Sequence, residues 1–240
     1  SDVADRWLLL AGQSLAALVP AIDRDLRPRS FALPASLRVE LVTDVRQENQ
    51  QVRNVAGYLR GSTDEYLIIG AHYDHVGTGE QYSMSSSGVG VVHPGADDNA
   101  SGVSGVIELA RWFASQPVPR RGILFLAFAA EEIGLLGSNF YVENPLLPLK
   151  KAIAMINMDM IGRMRSEQVY VGGVNSGREF GKLLAEVNKQ ARLQLDCSDN
   201  GGYGSSDQFA FLPKEIPVLF FFTGLHADYH TPSDTWERIE

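Results

Sequence analysis

The chain has 240 residues, 45% of them hydrophobic and 21% charged, with a formal net charge of -8. That length is enough to bury a substantial core, as one large domain or two small ones. The acidic balance offers no basic stripe for phosphates and argues against a nucleic-acid partner; no apolar run approaches the roughly 20 residues that span a bilayer; the single Cys197 leaves no internal disulfide.

The opening SDVADRWLLLAGQSLAALVP has acids where a secretory signal has basic residues. It predicts an amphipathic helix, capped by Ser1 or Asp2 and stopped near Pro20, and with the proline-bearing connection after it forms an N-terminal segment over residues 1–36. Next, LRVELVTDV (37–45) and VRNVAGYLR (52–60) alternate with the period of half-buried strands. EYLIIGAHYDH begins as a fully apolar strand and turns polar where it leaves the core. Residues 76–94 are rich in Gly and Ser, have no sustained period and predict a long loop, its SMSSSGVG portion a flexible lid.

ASGVSGVIELARWFAS predicts a helix with Val103, Val106, Ile107, Leu109, Ala110 and Phe113 on its apolar side. RGILFLAFAA reads as a buried strand, IGLLGSNFYVEN as a short helix and AIAMINMDM as another buried strand. QVYVGG, GREFGKLLAEVNKQAR and IPVLFFFTG then predict strand, helix and strand. Strands apolar on both faces, alternating with helices, imply an α/β sandwich with a largely parallel sheet. Ligands of such sheets sit beyond the carboxyl ends of the strands.

Polar residues gather at those ends. LIIGA runs into His72, Tyr73, Asp74 and His75; LFLAFAA into Glu131 and Glu132; AIAMI into Asn157 and Asp159; and PVLFFFTG leads to His226, Asp228, Tyr229 and His230. PGADDNASG sets Asp97, Asp98 and Asn99 just before a helix. Each has a plainer reading: a helix cap for the Asp-Asp-Asn run, a first helical turn for the glutamate pair, a hydrogen-bonded surface site for any one histidine. Together they are harder to dismiss, since all five histidines, 72, 75, 93, 226 and 230, lie in or beside these segments. So many like charges repel unless divalent cations neutralise them, and histidine with carboxylate but no thiolate suits zinc, with cobalt or manganese as substitutes.

GAHYDH, HPGADDNASG, AFAAEEIGLLGS, NMDMIGR and DYHTPSDT, in this order, resemble the two-zinc exopeptidase family that contains the bacterial leucyl aminopeptidases, glutamate carboxypeptidases and glutaminyl cyclases. The similarity covers residues 50 to 240. It implies a three-layer α/β/α sandwich with a mixed, largely parallel central sheet, and a single metallopeptidase catalytic domain over 1–240. It also implies two Zn2+ ions held by His72, Asp98, Glu132, Asp159 and His230. Asp98 would bridge, with His72 and Asp159 completing one site and Glu132 and His230 the other. Asp74, two residues past His72 on an extended strand, would hold that imidazole with its carboxylate. The Asp98–Asn99 bond would be cis.

In the same likeness Glu131 takes a proton from a metal-bridging water and passes it to the leaving amine, across ions about 3.5–4 Å apart. Tyr203 in GGYGSSD would donate to the oxyanion, with Tyr229 a second candidate. Gly201 and Ser205 stand where relatives carry a disulfide, and Gln208 where many have histidine. Phe209, Phe211 and the Ser-rich loop are candidates for the substrate pocket.

The expected activity is removal of N-terminal apolar residues from peptides. Arg163 and Arg165 keep a carboxypeptidase in play, and a one-zinc glutaminyl cyclase or a noncatalytic receptor-like module are further readings of the same fold. The resemblance also implies export, to the medium or periplasm, and a longer protein with a protease-associated domain, of which these residues are the catalytic part. No G-x-S-x-G elbow and no dinucleotide or P-loop fingerprint occurs.

Overall fold

The computed structural model describes residues 2–40, 42–44, 49–85, 89–198 and 206–240. The chain forms two compact units, 1–50 and 51–240.

The first unit carries two helices rather than one, α1 (Asp2–Leu9) and α2 (Leu15–Asp25). Gly12, at φ 69°, lets the chain turn between them, and Ser14 caps α2 by accepting from the Ala17 amide at 3.3 Å. The Asp5 carboxylate takes the Leu15 amide, another donor that helix geometry leaves orphaned. Pro20 lies inside α2 instead of ending it, because its fixed φ is already helical and the loss is a single backbone bond. No residue of either helix is buried.

The second unit is built on a seven-stranded sheet: β1 (Val55–Leu59), β2 (Tyr66–His72), β3 (Gly122–Phe128), β4 (Ala152–Met158), β5 (Gln168–Gly172), β6 (Gln194–Asp196) and β7 (Val218–Phe222), in the order β1-β3-β2-β4-β7-β5-β6. The four central strands β3, β2, β4 and β7 are mutually parallel; β1 on β3 and β5 on β7 are antiparallel. The described residues of 37–45 form no strand.

Successive residues of each strand feed opposite faces. On one face Ile68, Leu124, Leu126, Phe128 and Met155 pack with Tyr141 of α4 (Leu136–Glu143) and with Phe211 from the short helical segment Asp207–Lys214. On the other, Ile69, Ala71, Ile123 and Phe125 meet Val103, Val106, Leu109, Ala110 and Phe113 of α3 (Gly102–Ala114), while Val171 and Leu219 pack on Leu184 of α5 (Phe180–Ala191). Ile107 turns outward instead, 52% exposed. Helices thus cover both faces of the sheet, and the carboxyl ends of four parallel strands open on one edge.

Candidate metal centre

His72 is the last residue of β2 and is fully buried; Asp159 follows β4 directly. Asp98 comes from the turn 96–101 ahead of α3, whose Asp98–Asn99 bond is cis. That turn is held from outside, because Asp234 Oδ2 accepts both the Asp97 amide at 2.9 Å and the Asp98 amide at 3.1 Å. Asn99 Oδ1 accepts from Gly102 and from Met160, and its Nδ2 donates to the Met158 carbonyl, so it caps α3 and ties the turn to the exit of β4. The helix-cap reading therefore fits Asn99 and leaves both aspartates free for other work.

Two donor sets share Asp98. Its Oδ1 lies 3.4 Å from His72 Nε2, which is also 3.4 Å from Asp159 Oδ1; its Oδ2 lies 3.1 Å from His230 Nε2, which is 3.1 Å from Glu132 Oε2. The edge of a tetrahedron on bonds of about 2.0 Å is roughly 3.3 Å. His230 Nε2 is buried and makes no hydrogen bond although two carboxylate oxygens stand beside it, the geometry of a lone pair aimed at a shared cation. The residues fit a divalent ion in each set.

The electrostatics agree. Burial works against a charged His230, but its contacts with Asp98 and Glu132 push its pKa up to about 10. Burial likewise opposes a charged His72, and Asp159 and Asp98 carry it well above the usual imidazole value. Burial would raise Asp98, yet His230 and His72 hold it well below the carboxylate range. Left to itself, the cluster uses imidazolium protons to offset its carboxylates.

Glu131 and Glu132 precede α4 by several residues and so do not begin its first turn. Ala130, at φ 58°, reverses the chain out of β3 and aims the pair at the edge. Glu132 joins the His230 set. Glu131 belongs to neither set, with Oε2 4.0 Å from His72 Nε2, and burial, reinforced by Asp159, Asp207 and Glu132 against His72, raises its pKa to about 8.

Asp74 stands beside His72, as expected. The His72 ring donates from Nδ1 to the Asp74 backbone carbonyl at 3.1 Å, with the carboxylate 3.8 Å away; that carboxylate accepts the amides of Glu131 and Glu132 at 3.0 and 3.2 Å. The strand ends at His72, so alternation no longer governs Asp74.

His230 is gripped by the Gly/Ser-rich loop. Its Nδ1 donates to the Tyr82 carbonyl at 2.8 Å and its carbonyl accepts from Met84, while Ser83 is fixed by His93 Nε2 at 2.9 Å. Tyr229 stacks on the His230 ring with centroids 3.9 Å apart, and burial first, then the nearby acids, raise its pKa, keeping the phenol a proton donor. Tyr203, Gly201 and Ser205 lie outside the described residues. Gln208 is buried and accepts from Asn157 Nδ2 at 2.9 Å.

Arg163 is not available to a substrate. It donates to His226 Nδ1 at 2.9 Å and to Asp228 Oδ2 at 2.8 Å, Arg238 also reaches Asp228, and His226 Nε2 faces Asp97 Oδ2 at 3.1 Å. Because arginine only donates, His226 carries its proton on Nε2 and gives it to Asp97. His226 and Asp228 thus brace the turn beneath Asp98 rather than joining the donor sets. Arg165 is exposed.

A cavity of about 370 Å³ opens onto both sets. Its apolar wall is Met160, Tyr170, Gly172, Phe220, Phe222 and Leu225. In the β5–β7 pairing Tyr170 lies opposite Phe222 and Gly172 opposite Phe220, which puts all four on one face. Phe209 and Phe211 were the sequence's candidates and do not line it; Phe211 sits in the core against Phe128 and Tyr141. Sequence reasoning also missed Asp207, fully buried with no hydrogen bond to either carboxylate oxygen and raised by burial to about 7. The Ser-Asp beside the expected tyrosine was the only available signal.

The sequence is 31% identical over 207 residues to Aminopeptidase YwaD of Bacillus subtilis (strain 168), covering 80% of this chain and 41% of that protein. It is 40% identical over 206 residues to the uncharacterized protein YfbL of Escherichia coli (strain K12), covering 72% and 61%. Among solved structures it superimposes on BSAP, a zinc aminopeptidase from Bacillus subtilis, with a TM-score of 0.63 at 29% identity, over 78% of this chain and 45% of that one. An aminopeptidase from Aneurinibacillus sp. strain AM-1 gives 0.64 at 28% identity, over 78% and 43%. The chain spans less than two thirds of the length of each of these proteins. Residues 54–240 match the model of Peptidase family M28, and the chain belongs to that family.

Proposed function

We propose that the chain is the catalytic part of an aminopeptidase that holds two zinc ions, for which cobalt or manganese can substitute, and releases apolar N-terminal residues from peptides. The observation that carries this reading is the pair of donor sets sharing Asp98 at the mouth of an aromatic cavity. A substrate carboxylate needs a cation, and among the described residues no lysine or arginine lines the cavity, whose charged groups include the acids Asp98, Glu131, Glu132 and Asp159. That favours an aminopeptidase over a carboxypeptidase.

His72 and Asp159 would hold one ion, Glu132 and His230 the other, and Asp98 would serve both. The ions, when bound, polarise the scissile carbonyl and acidify a water. Glu131, ionised beside bound cations, would take a water's proton and give it to the departing amine. The Tyr229 phenol, kept protonated, donates to the developing oxyanion; Tyr203 keeps the same role as an expectation from the family likeness. The side chain of the N-terminal residue enters between Tyr170, Phe220 and Phe222. Export, and a protease-associated domain elsewhere in the full-length protein, rest on the family likeness alone and are checked by locating the full-length protein in culture medium or periplasmic fractions.

A panel of aminoacyl anilides, run on chelated and zinc-restored protein beside N-acetylated counterparts, tests the reading. Leucyl and phenylalanyl substrates should turn over only with zinc, and their acetylated forms should be refused. Equal cleavage of the acetylated forms would sink it.

A further inference from the structure

Glu132 has two oxygens, and the chain treats them differently. Oε2 stands with Asp98 Oδ2 and His230 Nε2 around one point, whereas Oε1 receives the imidazole of His75, whose Nδ1 lies 2.7 Å away. We propose that His75 is a positioning residue that ties up Glu132 Oε1, so that Glu132 binds its ion through Oε2 alone. This rests on the two-ion reading above and goes beyond it by giving a task to a histidine outside the five ligands.

An ionised carboxylate only accepts, so the contact requires a proton on His75 Nδ1. A nitrogen bearing that proton has no lone pair for a metal, and Nδ1 is the ring nitrogen that faces Glu132 and Asp98. His75 therefore acts through Glu132 and not as a sixth ligand, although it lies close enough to the His230 set to be counted with it, with Nδ1 3.8 Å from Asp98 Oδ2. Engaging Oε1 on the imidazole biases Glu132 towards binding through Oε2. The ion is left with three protein ligands and an open position, the arrangement of catalytic rather than structural zinc.

The ring's place is reserved by its surroundings. Gly95, at φ 60°, faces it so closely that a Cβ there would fall 2.7 Å from His75 Cγ and Cδ2 and 2.3 Å from the Asp98 carbonyl. On another side the His230 ring meets it edge-on, with centroids 5.4 Å apart. The His75 side chain is only 10% exposed, which shields the hydrogen bond from competing water.

The test is zinc calorimetry on the unsubstituted chain, His75→Phe and His75→Asn, with ring-nitrogen NMR on the zinc-loaded unsubstituted chain. The unsubstituted chain should take up two ions. His75→Phe should weaken one site by about 10–100-fold, the usual cost of losing a partner behind a ligand, and leave the other within about twofold. His75→Asn, which keeps an N–H donor, should recover most of that loss, and NMR should find His75 protonated at Nδ1. Unchanged affinities, equal weakening of both sites, no recovery with asparagine, or an Nδ1 bound to zinc would each overturn the proposal while leaving the two-ion reading intact. Uptake of fewer than two ions by the unsubstituted chain would overturn both. If His75→Phe does not fold, the NMR result decides.

Discussion

Glu131→Gln should make the ion-free protein more stable and the zinc-loaded protein inactive. The Glu131 pKa rises from 4.5 to about 8 on folding, chiefly by burial. A carboxyl raised in this way binds its proton more tightly folded than unfolded, so stability is greatest below the unfolded pKa and falls as pH climbs to the folded one. At about 1.4 kcal/mol per unit, the ionised side chain costs the fold on the order of 4 kcal/mol between pH 5 and pH 9. Glutamine keeps the shape and does not ionise. In a chelator, thermal melts followed by circular dichroism should therefore be nearly matched at pH 5, with the variant higher by about 10 °C at pH 9. With zinc bound, the ions stabilise the carboxylate, the advantage shrinks, and turnover falls by about 10²–10⁴-fold through loss of the proton acceptor. Parallel melting curves across pH, or a variant that retains turnover, would refute the argument.

Asp207, raised by burial to about 7, and His230, raised by Asp98 and Glu132 against burial to about 10, act in the same direction. Asp207 loses its contribution between pH 3.8 and about 7, and His230 between pH 6.5 and about 10. Melting temperature in chelator should fall steadily from pH 5 to pH 9 and flatten with saturating zinc; a rise with pH in chelator contradicts this. Arg163→Met strips His226 and Asp228 of a shared donor and should cost about 3 kcal/mol in urea unfolding, with Arg163→Lys recovering part of it; no loss would show the brace to be dispensable. Phe222→Ala removes one wall of the cavity and should lower kcat/KM for leucyl relative to alanyl anilides by about tenfold; an unchanged ratio would place the side chain elsewhere.

The central strands were legible because each is apolar on both faces and stops abruptly in polar residues. His72, Glu132, Asp159 and His230 could be tied to one edge from that pattern alone, since parallel strands share a carboxyl end. The cavity was not legible. Tyr170 and Gly172 meet Phe222 and Phe220 only through the antiparallel register of β5 on β7, and Phe220 and Phe222 read simply as core strand. At the amino end, Gly12 is a mild break in an otherwise helical pattern, and the helix restart depends on the Ser14 cap and on Asp5, ten residues before Leu15. Phe211 is apolar wherever it is put, and only the packing of Asp207–Lys214 against Phe128 and Tyr141 places it in the core.

The site's charges fall into two groups with different purposes. Asp97, Asp228, His226 and Arg163 are satisfied among themselves, since each acid of that group has a cationic or N–H partner within 3.1 Å. They form a closed, rigid base under the turn that carries Asp98, and adding a cation there would break bonds already made. Asp98, Glu132, Asp159, His72 and His230 are not closed in this way: their imidazoles must hold protons well above the usual range to offset the acids. Exchanging those protons for divalent ions would replace a weak offset with a strong one. On the proposed reading the saturated polar contacts hold position and the unsaturated ones would take the ion, so metal affinity at this edge should depend on pH.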